Sequence, residues 1–205
     1  GMLRNPTIYW IGGSSCAGKS TLAQIFAKKY GFELYSCDDH FNEHLKSISV
    51  NDQPAMYKVS TMNANEAFYT RDITEQLKVY IQSFNEDFPF VINDLKKIAD
   101  KPIVVEGNQL LPSLVFPFLN VNHKSLWIIP TEDFQREYYR KRDWIYNVLS
   151  NTDNPDIAFD NWMLRDSLFA KLVYQEATNL KLNLLQVDGK KSINENFEIL
   201  ETLFT

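Results

Sequence analysis

Eight consecutive residues carry the strongest chemical signal in the chain. Gly13-Ser14-Ser15-Cys16-Ala17-Gly18-Lys19-Ser20 fits G-x-x-x-x-G-K-[ST] at every fixed position. Gly13 and Gly18 allow backbone turns that a side chain would block. The amides of Ser14, Ser15, Cys16 and Ala17 can then turn inward as a nest for phosphate oxygens, with the positive end of a following helix behind them. In such a loop Lys19 reaches the β- and γ-phosphates and the Ser20 hydroxyl binds Mg²⁺. The Cys16 thiol is a candidate redox or alkylation handle, although its backbone amide is the part the loop needs.

Three carboxylates stand at the ends of expected strands, where an open α/β sheet binds its ligands. Glu106 ends the apolar run Ile103-Val104-Val105, a rigid stem with an exposed acidic tip suited to organising Mg²⁺. Asp38 and Asp39 follow the run Phe32–Ser36. Phosphoryl transfer needs a carboxylate to position or deprotonate the attacking hydroxyl, and either aspartate fits. One of the two is expected merely to cap a helix beginning at His40 or Phe41. His40 and His44 have the i, i+4 spacing of some zinc sites, but His123 is far away in sequence and the pair reads better as solvent-exposed. His40 remains a possible substrate contact.

Arg136, Arg140 and Arg142 cluster within Gln135–Arg142, and Arg165 lies further on. The remaining arginines are Arg4 and Arg71. Arg136 and Arg140 share a helical face. Arginines on a closing segment can stabilise the charge spread over a moving phosphoryl group. The competing reading is a solvated basic face paired with Glu132, Asp133, Glu137 and Asp143.

The elements that must position these residues follow from the pattern. Thr7–Ile11, Phe32–Ser36, Ile103–Glu106, Leu126–Ile129 and Leu184–Val187 read as five short apolar strands. Helical spacing of Leu22, Ile25 and Phe26 stops at Gly31, and a capping box at Ser192–Glu195 opens a last helix. Strands alternating with helices predict an α/β fold with a parallel sheet covered on both faces. Two stretches, 41–100 and 131–182, are too long for plain crossovers and read as mostly helical insertions that serve a site.

Composition agrees with one ordinary globular domain over residues 1–205: 44% hydrophobic, 23% charged. A net charge of -5 argues against general nucleic-acid affinity. No run of about 18 apolar residues predicts a membrane span. The start, Gly1-Met2-Leu3-Arg4, lacks a signal-peptide apolar stretch, and Gly1 reads as a remnant of tag removal. Two cysteines, Cys16 and Cys37, give no disulfide framework, so a reducing, cytoplasmic setting is expected.

Gly13–Thr21, Asp38-Asp39, Glu106-Gly107 and Arg136–Arg142 fall in the order seen in the nucleoside and nucleotide kinase-like branch of the P-loop proteins. The chain resembles uridine kinases and 2-phosphoglycerate kinases, the latter also through Glu106-Gly107-Asn108-Gln109-Leu110-Leu111-Pro112. The resemblance implies a P-loop NTPase fold with a five-stranded parallel sheet and flanking helices. It implies ATP held by Gly13 to Thr21 with Mg²⁺, a helical substrate-binding insertion over 41–100, and a lid between Arg136 and Arg165 within the helical region 131–182. Arg136, Arg140 and Arg142 would close over ATP, and Asp188-Gly189-Lys190 would touch adenine. The implied activity is transfer of the γ-phosphate of ATP to a small-molecule hydroxyl or phosphate: a nucleoside, nucleotide, polyol or phosphorylated metabolite. An ATP-binding switch or ATPase acting through a protein partner is the alternative; no N-K-x-D guanine signature is present.

Overall fold

The computed structural model describes residues 3, 7–98, 101–120 and 124–205; Arg4, His123 and the Asp100 end of the first insertion lie outside them. Five strands form one all-parallel sheet: β1 (Ile8–Gly13), β2 (Glu33–Ser36), β3 (Ile103–Glu106), β4 (Lys124–Pro130) and β5 (Leu184–Val187), in the order β2-β3-β1-β4-β5. Each expected strand is present. β1 runs two residues further than Thr7–Ile11, into Gly12 and Gly13, because it gains β4 partners up to Ile128.

The side-chain period of two divides the sheet into two cores. Ile8, Trp10, Val105, Trp127 and Ile129 face one side, packed under α5 (Ile73–Lys97) and α9 (Pro155–Asn179). Ile11, Val104, Leu126 and Ile128 face the other, under α1 (Lys19–Tyr30) and α10 (Ile193–Phe204). Gly31, at φ +68, ends α1 in the left-handed conformation that favours glycine. The Ser192–Glu195 capping box opens α10 as expected, with both reciprocal hydrogen bonds.

Both long insertions are helical. The first holds α2 (Cys37–Leu45), α3 (Pro54–Thr61), α4 (Ala64–Phe68) and α5. The second holds α7 (Glu132–Arg140), α8 (Asp143–Leu149) and α9. A short helix α6 (Pro112–Val115) leads from β3 towards β4. A third apolar cluster, built on Tyr139, Ile145, Trp162 and Met163, ties α7, α8 and α9 together beside Cys16. Among the described residues no helix is long and apolar enough to cross a membrane.

Candidate active site

The phosphate-loop sequence sits at the carboxyl end of the central strand β1, whose register sets Ile11 beside Glu106 and Gly13 beside Ile128. Gly13, at φ +133, has no room for a side chain, because a Cβ there would overlap the Ile128 carbonyl. Ser14 N–H donates to that same carbonyl at 3.2 Å, which fixes where the loop leaves the sheet. Cys16 and Gly18 both take positive φ, +69 and +80, so the chain coils back before α1 begins at Lys19.

Lys19 is buried and donates from Nζ to the Ser14 carbonyl at 2.6 Å. Burial pulls its pKa down, while Glu106 and Asp38 push it back up. The Ser20 hydroxyl donates to Glu106 Oε1 at 3.1 Å. Lys19, Ser20, Asp38 and Glu106 line one cavity of about 240 Å³, with residues 15–18, Thr21, Gly107, Asn108 and Tyr138. Gly107 makes this assembly possible. A Cβ there would come within 2.6 Å of Cys37 Cβ, at the first residue of α2, so only glycine lets the end of β3 pass under that helix.

The aspartates differ from expectation. α2 begins at Cys37, so Asp38 and Asp39 both lie inside its first turn, and its N-cap is Ser36 without a side-chain cap bond. Neither aspartate is the cap of a later helix. Asp38 faces the cavity and Asp39 does not line it. The histidines need a correction too. His44 is buried, not solvent-exposed: its Nδ1 lies 2.6 Å from Asp87 Oδ1 and its Nε2 lies 2.6 Å from Asp94 Oδ2. His40 is half-buried and stacks on Tyr35 at 4.1 Å. Two carboxylates on α5 pair with both ring nitrogens of His44, so the buried ring keeps its polar atoms satisfied.

The arginine cluster divides. Arg136 pairs with Asp160 at 3.2 Å and with Glu132 at 3.8 Å. Arg140 is exposed, 3.8 Å from Glu137 and over the Phe159 ring. The structure does not bring either to the phosphate loop, because the face of α7 that packs inward carries Gln135 and Tyr139 instead. Arg142 lies over the Tyr138 ring at 4.1 Å, and its charge reaches Cys16. Arg165 packs over the Tyr80 ring at 4.2 Å and donates to Asp166 Oδ1 from both Nε and Nη2. Asp188 and Gly189 follow β5, and Gly189 abuts the Phe134 ring on α7. Chiefly through burial, the Cys16 thiol is pushed up to about 12, which keeps it protonated and unreactive.

Three contributors escaped the sequence reading. Asn108 donates to Ser15 Oγ at 3.1 Å and to the Tyr80 hydroxyl at 3.2 Å. The Tyr139 hydroxyl reaches Ser15 and Cys16. Asp166 is 2% exposed, and its charge acts on Tyr80, Tyr139 and Lys19. The place of Asn108 directly after Glu106-Gly107 was an available signal; nothing local marks Asp166.

Comparison with solved structures shows the fold. The chain is similar to a shikimate kinase from Bacteroides thetaiotaomicron, with a TM-score of 0.50 and 15% identity over 96% of this chain and 97% of that chain. It is also similar to TT1252 from Thermus thermophilus, with a TM-score of 0.54 and 12% identity over 97% of this chain and 96% of that one. These likenesses, with the all-parallel sheet, show the α/β P-loop fold. No protein-family model and no curated protein matches the sequence.

Proposed function

We propose that the protein is a Mg²⁺- and ATP-dependent phosphotransferase that moves the γ-phosphoryl group of ATP to a small-molecule acceptor. The observation that carries this reading is the contact between the Ser20 hydroxyl and Glu106, beside Lys19 and Asp38 in one cavity.

The residues fit a magnesium nucleotide. Lys19 is a buried cation whose assigned partner is a neutral carbonyl, so an anionic ligand would improve its pairing. The loop amides and the positive-φ turns at Gly13, Cys16 and Gly18 form a cradle for phosphate oxygens. Ser20 and Glu106 are the residues that would hold Mg²⁺. Bound Mg²⁺·ATP supplies the transferable phosphoryl group and a stabilised leaving group. Lys19 would draw charge off the phosphates, and residues 13 to 21 would hold them. Asp38 orients the acceptor hydroxyl and takes its proton as the new P–O bond forms and ADP departs.

In this reading residues 41–100 serve the acceptor, residues 131–182 carry the lid, and the whole chain acts as a single kinase domain. Arg142, whose charge acts on Cys16 in the loop, is taken as the lid arginine in preference to Arg136 and Arg140, and the Asp188-Gly189 turn flanks adenine. The motif order resembling uridine kinases and 2-phosphoglycerate kinases supports the assignment. Both cysteines are free, consistent with a reducing cytoplasmic setting.

The test is ADP release from Mg²⁺·ATP with and without candidate acceptors. Stimulation of at least tenfold by one compound, lost in Lys19→Ala, is the expected result. Slow hydrolysis that no acceptor changes would favour the ATPase or switch alternative.

A further inference from the structure

A second cavity, of about 310 Å³, opens on the other side of Asp38. It is lined by Asp38, Phe41, Asn42, Val59, Tyr80, Ser83, Phe84 and Gln109, drawn from α2, α3, α5 and the turn after β3. Asp38 lines both this cavity and the phosphate cavity, so a molecule held here would present its reacting group to the same carboxylate that faces Lys19. That volume lies at the low end for small-molecule sites, enough for one substituted ring or a short polyol.

Charge is the deciding property. Among the described residues neither lysine nor arginine lines the cavity, and the charged residue that does is the acid Asp38. Lys19, whose charge couples to Asp38, belongs to the phosphate cavity, and other cations on the flanking segments have partners outside this one. Arg165 is held by Asp166 at 2.9 Å, a pair with no net charge. Arg71 turns its Nε onto the Glu66 carbonyl at 2.5 Å and its Nη2 towards Ala67. Lys58 lies 3.4 Å from Glu75. A phosphate or carboxylate placed in this cavity would face Asp38 with no lining cation to offset it. The polar lining groups are instead those that hydroxyls and amides satisfy: the Asp38 carboxylate, the Asn42 and Gln109 amides and the Ser83 hydroxyl. Phe41, Val59, Tyr80 and Phe84 supply the apolar walls, and Tyr80 meets Phe84 edge-on at 4.5 Å.

We infer that the acceptor is an uncharged hydroxyl compound with an apolar or planar face, not a phosphorylated or carboxylated metabolite. This rests on the kinase reading and narrows it. The hydroxyl oxygen forms the new bond to the γ-phosphorus while the bond to the bridging oxygen of ATP breaks. That electron pair leaves with ADP, and the hydroxyl proton passes to Asp38 and then to solvent.

The experiment uses the full chain in three steps. Calorimetry first establishes Mg²⁺·ATP binding, and its absence would refute the kinase reading and this inference together. ADP release is then measured with two matched sets. The neutral set is ribose, the four ribonucleosides, myo-inositol and glycerol. The anionic set is ribose 5-phosphate, the four 5′-monophosphates, 2- and 3-phosphoglycerate, and shikimate. Finally, thermal shift with Mg²⁺·ADP present reports acceptor binding without turnover. A member of the neutral set should stimulate ADP release at least tenfold and raise the melting temperature, while no member of the anionic set does either. Stimulation by the anionic set overturns the inference and leaves the kinase reading intact. It would direct attention to Arg71, whose Nη1 is buried without a hydrogen-bond partner. An enzyme that binds Mg²⁺·ATP yet responds to neither set also overturns it.

Discussion

The phosphate side and the acceptor side of this molecule are built on different principles. On the phosphate side, eight consecutive residues running from the end of β1 into α1 supply the cradle, mostly with backbone groups and the Lys19 and Ser20 side chains, and Glu106 completes it from the adjacent strand β3. On the acceptor side, single side chains from α2, α3, α5 and the turn after β3 converge on one small cavity. Backbone recognition fixes a local sequence pattern, because glycines and positive φ must fall at set positions. Side-chain recognition leaves its residues scattered, and only the folded chain brings them together. Asp38 joins the two regions.

Six substitutions and one reagent probe that division, beginning with the largest effect. Lys19→Ala should lower kcat/KM for ATP about 10³-fold and weaken nucleotide binding, since it removes a charge-assisted phosphate contact. Unchanged ATP affinity by calorimetry would remove the loop from the account. Next, Asp38→Asn should lower kcat about 10²-fold or more with ATP affinity retained, whereas Asp39→Asn, which lines neither cavity, should stay within about threefold. Equal losses in the two variants would mean that the cavity does not select between them.

His44→Ala tests the acceptor side as structure. It leaves Asp87, which is fully buried, without its imidazole partner and should cost about 3 kcal/mol in urea unfolding. Its pH dependence has a definite sign. Burial alone would raise the Asp94 carboxyl, but hydrogen bonds from Tyr35 and His44 outweigh it and hold the group below its ordinary value. That contribution is therefore complete above about pH 4 and fades as pH falls through the depressed value. The variant should show a flatter acid limb. An unchanged acid limb would show that the pairing carries no such linkage.

A smaller contrast separates the arginines. Arg142→Ala should raise KM for ATP about tenfold, while Arg136→Ala should cost less than about 1 kcal/mol of stability and leave kinetics alone, as its ion pairs are partly exposed. Reversal of that order would return Arg136 to the reaction. The smallest effect is expected at Cys16. With its thiol at about 12, the thiolate fraction at pH 8 is roughly 10⁻⁴, so iodoacetamide at that pH should leave it unmodified within an hour by mass spectrometry. Rapid labelling would show that the loop opens.

Much of the fold was legible in the sequence for physical reasons. A buried parallel strand needs a continuous apolar run, and the runs at 103–106 and 184–187 coincide with β3 and β5. Gly31 and the Ser192–Glu195 box marked helix ends because both signals act within a single turn. The start of α2 lies three or four residues before the expected one: Ser36 makes no side-chain cap bond, and Cys37 instead sits close against Gly107 after β3, a contact no local pattern announces. His44 was misjudged for the same kind of reason: its partners Asp87 and Asp94 lie more than forty residues away on α5. The i, i+4 spacing of Arg136 and Arg140 was read correctly as one face, but which face of α7 turns inward was decided by Gln135 and Tyr139.

The most direct test of the central claim follows the phosphorus. The protein is incubated with Mg²⁺ and γ-³²P-ATP in a small-molecule extract depleted of macromolecules, and the label is resolved chromatographically. The account predicts label in a new organic phosphate ester, absent with Lys19→Ala. Label recovered only as inorganic phosphate, at a rate the extract does not change, would contradict it.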